Sequence, residues 1–191
     1  GEEWRRGWHP EKFAKTASPE SVLIVGGGPA GLEAALVAAK QGFEVTIAEQ
    51  TDEWGGRVQA ETQLPGLATW RRVRDYRVWA LSQMGNVSMY TNSELDADAA
   101  LSLGTDHIAI ATGARWSKRL YSALEIPSEP LDLPQVFTPE DVFAGAVSGD
   151  RVLVFDYDNY YLGGVIAEHL ATLGKQTHYA TPAGHASAWT F

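Results

Sequence analysis

Residues Val22–Ala35 read VLIVGGGPAGLEAA, a strand-sized apolar run, then a glycine turn, then a run of strong helix formers. Ser21–Val25 has the composition of a buried parallel strand, and LEAALVAAKQ (Leu32–Gln41) reads as a helix stopped by Gly42. FEVTIAEQ (Phe43–Gln50) follows as a second strand, rich in branched residues and closing on Glu49. Strand, helix and strand within about 30 residues form a βαβ unit, so the chain is expected to build a parallel sheet.

Gly26, Gly28 and Gly31 stand in the G-x-G-x-x-G pattern between that strand and that helix. The first glycine permits a tight turn, the second lets backbone approach a pyrophosphate, and the third lets helix and strand pack closely. The helix N-terminus then offers free N–H groups and partial positive charge to the phosphates. Three glycines alone are a weak signal. Here an acidic residue, Glu49, ends the second strand 18 positions after Gly31, placed to accept hydrogen bonds from the hydroxyls of an adenosine ribose. Gly27, Pro29 and Ala30 complete GGGPAG, which together with the downstream Gly55-Gly56-Arg57 is more typical of flavin-binding chains than of simple dehydrogenases.

Farther along, Leu67–Met84 reads as a helix, Asn86–Tyr90 as a short strand, Asp96–Leu103 as a short helix and His107–Ala111 as a buried strand running into Thr112-Gly113. On the long helix, Trp70, Tyr76 and Trp79 with Arg71, Arg72, Arg74 and Arg77 could form a docking surface for an acidic partner; the favoured expectation is a core stripe of the aromatics with the arginines on a solvated face. Gly1–Pro19 reads as a connecting arm carrying Trp4, Trp8 and Phe13; residues 20–115 form the first nucleotide-type domain; 116–149, with Pro127, Pro130, Pro134 and Pro139, cross to residues 150–191. There the pattern restarts: strand Arg151–Phe155, helix Gly164–Leu173, a stop at Gly174 and strand Gln176–Ala180. The fold class is therefore α/β, a Rossmann-like parallel sheet with flanking helices followed by an incomplete second Rossmann-like unit.

Composition bounds the function. The 191 residues are 45% hydrophobic, enough for a real core, and the net charge of −9 without a basic run argues against nucleic acid or a membrane surface as partner. No apolar run approaches the ~20 residues of a membrane span, and a soluble, cytoplasmic protein is expected. With no cysteine, the chain has no thiol nucleophile, disulfide or Cys-ligated cluster of its own, and its five histidines lack zinc-site spacing. The absence of an initiator Met and the uncapped ending Ala188-Trp189-Thr190-Phe191 are what a piece of a longer polypeptide would present.

VLIVGGGPAGLEAA, TIAEQTDEWGGRV (Thr46–Val58) and HIAIATGAR (His107–Arg115) resemble the nucleotide-binding domains of flavoprotein reductases with two dinucleotide domains. GEEWRRGWHPEKF (Gly1–Phe13), LPGLATWRRVRDYR (Leu64–Arg77) and IATGARW (Ile110–Trp116) are similar to the C-terminal part of the trimethylamine and dimethylamine dehydrogenase group, whose relatives include histamine dehydrogenase and 2,4-dienoyl-CoA reductase. The resemblance implies a long subunit with an FMN-bearing barrel and a Cys-ligated 4Fe–4S cluster upstream of this chain, assembled as a homo-oligomer. It implies ADP where related reductases hold FAD, on Gly26, Gly28, Pro29, Ala30, Gly31, Glu49, Gln50, Gly56, Arg57, Thr112 and Gly113, with no catalytic residue and no metal ligand in this chain. The partners implied are ADP or FAD, the barrel and cluster domain of the same subunit, and an electron-transferring flavoprotein.

Aligned residue for residue, the second unit places Asp156, Asp158 and Tyr161 at the three glycine positions. Side chains and two carboxylates there would block and repel a pyrophosphate, and the following strand ends in Tyr179-Ala180-Thr181 instead of an acid. The second unit is expected to bind no NAD(P)H.

Overall fold

A computed structural model of the chain describes residues 14–119 and 133–190. The arm aromatics Trp4, Trp8 and Phe13, and Pro127 and Pro130 of the crossing, lie outside the described residues. Two compact units are present, one drawn from Gly1–Gln59 and Trp70–Gly113, the other from Ala60–Thr69 and Ala114–Phe191. Among the described residues no helix is long and apolar enough to cross a membrane.

In the first unit, β1 (Ser21–Val25), α1 (Pro29–Gln41) and β2 (Glu44–Ala48) form the expected βαβ. A short helix α2 (Val58–Glu61), not anticipated from the sequence, precedes a 3-10 turn (Ala68–Trp70), α3 (Arg71–Ser82), β3 (Val87–Tyr90), α4 (Ala97–Ser102) and β4 (His107–Ile110). All four strands run parallel in the order β3-β2-β1-β4, with Ile24 opposite Ile47 and Val25 opposite Ile110. The chain moves outward from β1 to β3 and then returns to the other side of β1. That reversal opens a crevice beyond the carboxyl ends of β1 and β4, where ligands bind in sheets of this kind.

Val22, Leu23 and Ile24 are buried in succession, as in a strand covered on both faces. Leu32 of α1, Ile47 of β2 and Leu81 of α3 are equally inaccessible, and each such side chain contributes about 1.5–3 kcal/mol of burial. Gly42 terminates α1 in a left-handed conformation (φ 97°), its N–H donating to Ala39 O while Phe43 N–H reaches back to Ala38 O. Glycine alone adopts that geometry cheaply, so the helix ends there and the chain can enter β2 at once.

The expected single helix over Leu67–Met84 is instead the 3-10 turn followed by α3, and its aromatic stripe is not core. Trp70, Tyr76 and Trp79 are 43%, 53% and 63% exposed, while Ala80 and Leu81 are the buried residues of α3. The helix meets α1 through this small residue and Leu81, and Arg77 Nε pairs with Glu33 of α1 at 2.6 Å. Helical spacing of aromatics identified a face without saying which way it turned.

The second unit contains α5 (Pro139–Phe143), β5 (Arg151–Phe155), α6 (Tyr161–Thr172) and β6 (Gln176–Ala180), with β5 and β6 parallel. Thr138 and Asp141 close a reciprocal capping box at the start of α5, with Pro139 between them at the first helical position. The helix expected from Gly164 starts three residues earlier. Leu162, Ile166 and Leu170 are buried on one stripe, and that burial outweighs the ~1 kcal/mol each that Gly163 and Gly164 cost a helix.

Candidate functional site

The glycine turn lies at the ends of three strands of the first unit. Gly26 N–H donates to Ala48 O at the end of β2, and Ala111 N–H donates to Val25 O, bringing the segment after β4 alongside. At Gly26 φ is 109°, and a Cβ there would lie 2.4 Å from Ala111 O. A Cβ at Gly31 would lie 1.9 Å from Gly26 O, and one at Gly27 would lie 2.5 Å from the Trp54 ring. The chain's own packing therefore explains these three glycines.

Gly28 differs. Its φ of −72° and ψ of 179° suit any residue, and a Cβ built on it would meet no atom within 4 Å. Among the described residues nothing requires glycine at the N-cap of α1, and none of their side chains caps that helix. The bare backbone and open space fit a pyrophosphate seated on the first-turn N–H groups.

Glu49 follows directly after β2 and is 6% exposed. Its Oε2 accepts the Gly27 N–H at 2.7 Å, and its Oε1 accepts both the N–H and the hydroxyl of Thr51 at 2.9 Å. Three of roughly four acceptor positions of the carboxylate are thus occupied within the chain. One remains for a ribose hydroxyl, fewer than the sequence alone suggested. The loop after Thr51 completes a wall: Gly55 N–H donates to Gly27 O at 2.8 Å, and a Cβ on Gly56 would come 3.3 Å from Gly28 Cα.

The structure thus gathers Gly26, Gly28, Pro29, Ala30 and Gly31 in one turn, with Glu49 on its inner side and Gly56 against Gly28. Thr112 and Gly113 lie beyond β4, Thr112 N being 3.1 Å from the position of a Gly26 Cβ. Gln50 and Arg57 are solvent-exposed. Sequence reasoning missed Thr51 and Trp54, which hold Glu49 and Gly27; TDEWGG beside the acidic residue was the only available signal. A separate groove of about 460 Å³, lined by Asp52, Glu53, Trp54, Arg74, Asp75, Val78 and Trp79, includes none of the turn glycines.

The second turn corrects the residue-for-residue alignment. Asp156 N–H donates to Ala180 O at 2.8 Å, as Gly26 N–H donates to Ala48 O, so Asp156 does stand at the first glycine position. The N-cap of α6, however, is Tyr160, and Gly163 occupies the N3 position held by Gly31 in α1. Asp158 and Tyr161 are therefore not the counterparts of the second and third glycines, because this turn is two residues longer. Gly163 serves the same end as Gly31: a Cβ there would lie 2.6 Å from Asp156 Cγ.

Comparison with known proteins agrees with this geometry. Residues 21–88 match the family described as FAD dependent oxidoreductase. Dimethylamine dehydrogenase of Hyphomicrobium sp. (strain x) is 39% identical over 96% of the chain and 26% of its own length, and a probable N-methylproline demethylase of Rhizobium meliloti (strain 1021) is 33% identical over 91% and 24%. Among solved structures, 6-hydroxypseudooxynicotine amine oxidase of Pseudomonas geniculata N1 superposes with a TM-score of 0.91 at 46% identity, covering 99% of this chain and 29% of that one. Histamine dehydrogenase of Rhizobium sp. 4-9 gives 0.89 at 42% identity, covering 99% and 30%. The chain spans about a quarter of the length of these curated relatives. With its glycine turn, buried Glu49 and parallel sheet, it belongs to the trimethylamine/dimethylamine dehydrogenase-like flavoproteins, an oxidoreductase family, as part of their Rossmann-type nucleotide-binding region.

Proposed function

We propose that this chain is the nucleotide-holding region of an amine dehydrogenase and holds ADP in the first unit. The observation that carries the reading is Gly28, whose Cβ position meets none of the described residues within 4 Å at the N-cap of α1. Gly26–Gly31 would present backbone N–H groups to the pyrophosphate, with Pro29 and Ala30 forming the first turn of the receiving helix. Glu49, steadied by Thr51, would take a ribose hydroxyl at its remaining acceptor position, and its charge would disfavour a 2′-phosphate. Gln50, Gly56, Arg57, Thr112 and Gly113 would line the approaches. A bound adenine nucleotide supplies no chemistry by itself; these residues bind and orient it and no substrate bond changes here.

In the whole protein, the likeness to dimethylamine dehydrogenase supports oxidative N-demethylation of a small methylated amine in a barrel elsewhere in the polypeptide. Electrons would pass through FMN and a 4Fe–4S cluster to an electron-transferring flavoprotein, in a homo-oligomeric enzyme. The second unit, with Asp156 in its turn, would receive no NAD(P)H. A second reading has support of its own: the match to FAD dependent oxidoreductases over residues 21–88 favours FAD in the same site. Acid release and chromatography of the nucleotide carried by the purified protein separates the two. ADP supports the first reading and FAD the second; no stoichiometric nucleotide, and no rise in melting temperature with added ADP or FAD, sinks both. A nucleotide that only stabilises the fold remains as a third possibility, which activity after its removal and rebinding would test.

A further inference from the structure

The turn between β5 and α6 is not merely a nucleotide loop that has lost its glycines. The Asp156 side chain is folded inward and 4% exposed. Its Oδ1 accepts the backbone N–H groups of Asp158 and Asn159 at 3.1 and 3.0 Å, and the Tyr179 hydroxyl on β6 donates to its Oδ2. The carboxylate rests over Gly163 in the first turn of α6, where a Cβ would come 2.9 Å from Oδ2. Asn159, with φ 62°, takes the Thr181 hydroxyl on its Oδ1 at 2.8 Å, and its carbonyl accepts the Trp189 N–H at 3.0 Å. Turn amides, β6 and the first turn of α6 thus converge on one buried carboxylate, and the neighbouring Asn159 ties the turn to Thr181 and Trp189.

In the first unit the glycine turn faces open space at Gly28 and no carboxylate arises from within the turn. In the second, the position of the first glycine itself supplies a negative charge, and the two extra residues carry the amides that receive it. We propose that Asp156 is a built-in anion for the second turn, its carboxylate holding the turn amides and the Tyr179 hydroxyl as a phosphate would, so that this unit keeps its nucleotide-type turn without a nucleotide. The inference rests on the reading that the second unit takes no NAD(P)H and supplies its cause: occupancy by the chain's own carboxylate, beyond steric loss of glycines. Burial together with the Asp156 hydrogen bond and charge pushes the Tyr179 hydroxyl up to about 12, in keeping with a hydroxyl that donates to the carboxylate. Asp158, the other carboxyl beside it, is also raised, by burial first and by Asp156 second.

The test compares the chain with its Asp156→Gly and Asp156→Asn variants in sodium sulfate and in sodium chloride of equal ionic strength. Sulfate stabilises most proteins by exclusion, so the readout is the difference between variant and parent. Asp156→Gly should lower the melting temperature by about 5 °C and regain most of it in sulfate, while the parent gains only the general increment. An equal sulfate response in both, or an unchanged melting temperature, overturns the proposal. If Asp156→Gly does not fold, the decisive measurement is the titration of Tyr179 by NMR of ring-labelled protein: it should move down in Asp156→Asn, by only part of its rise because burial is the larger cause, and an unmoved titration overturns the proposal. NADH binding by the parent chain would refute the underlying reading of the unit, a result distinct from either failure.

Discussion

Replacing Gly28 by Ser should strengthen the nucleotide-free fold while removing the nucleotide, an opposition that packing alone would not produce. The backbone at Gly28 already has extended angles, and a Cβ there meets nothing within 4 Å, so serine enters without strain. Its hydroxyl can accept an N–H of the first turn of α1, which has no side-chain cap, and the unfolded chain loses glycine's freedom. Together these effects contribute about 0.5–1 kcal/mol, or roughly 1–4 °C in melting temperature for a chain of this size. The same side chain stands where a pyrophosphate would approach, so affinity for ADP should fall at least tenfold, about 1.4 kcal/mol. At a nucleotide concentration 100 times the parent's Kd, the parent gains about 2.7 kcal/mol and a variant binding 100-fold more weakly about 0.4 kcal/mol. The melting curves of parent and variant should therefore cross over: the variant melts higher without ADP and lower with it. Two results would refute this reasoning, a variant destabilised without nucleotide or one whose ADP response matches the parent's.

Gly31→Ala should behave oppositely, destabilising the protein by about 2–3 kcal/mol in urea melts with or without ADP, because its Cβ would lie 1.9 Å from the Gly26 carbonyl oxygen, a backbone atom. Glu49→Ala should cost about 1–3 kcal/mol by leaving the buried Gly27 N–H without its acceptor, and should also weaken ADP binding; the loss of both in calorimetry is expected, and a loss of neither would contradict the site. Thr138→Ala removes the capping box of α5 and should lower stability by about 1 kcal/mol in the same melts, leaving ADP affinity unchanged. Asp106 is held below its ordinary value of 3.8, first by the Ser21 N–H and then by the Ser21 hydroxyl. A depressed carboxyl stabilises the fold above its unfolded value and loses that contribution as pH falls through the folded one. Asp106→Asn should therefore flatten the stability profile below about pH 4; an unchanged acid limb in pH-jump melts would count against the Ser21 contacts.

Much of the first unit was legible because its information is local. VLIVGGGPAG carries strand, turn and helix start within ten residues, and the distance to Glu49 is fixed by one helix and one strand. Branched residues favour strands, glycine permits the turn, and the run from Leu32 to Gln41 favours helix, so short-range preferences and the fold agree. The reading failed where the deciding partner lies far along the chain. Trp70, Tyr76 and Trp79 have helical spacing, but the covering of α3 is decided by α1, through Glu33 and by burial of Ala80 and Leu81. Spacing alone could not supply that orientation.

The two turns mark the same division. From sequence, Asp156 was a missing glycine and Tyr161 another; the backbone bond from Asp156 to Ala180 and the N3 position of Gly163 keep the first assignment and replace the second. A two-residue lengthening leaves no periodic trace in so short a loop, so only packing against β6 sets the correspondence. The sequence by itself determined that the chain makes a parallel α/β sheet with a G-x-G-x-x-G turn between its first strand and helix, since those features rest on the torsional and hydrogen-bonding preferences of neighbouring residues. Tertiary structure alone decided that Glu49 turns its carboxylate to Gly27, and that Asp156 meets Tyr179, because these pairings depend on which strand ends the folded sheet brings within hydrogen-bond reach.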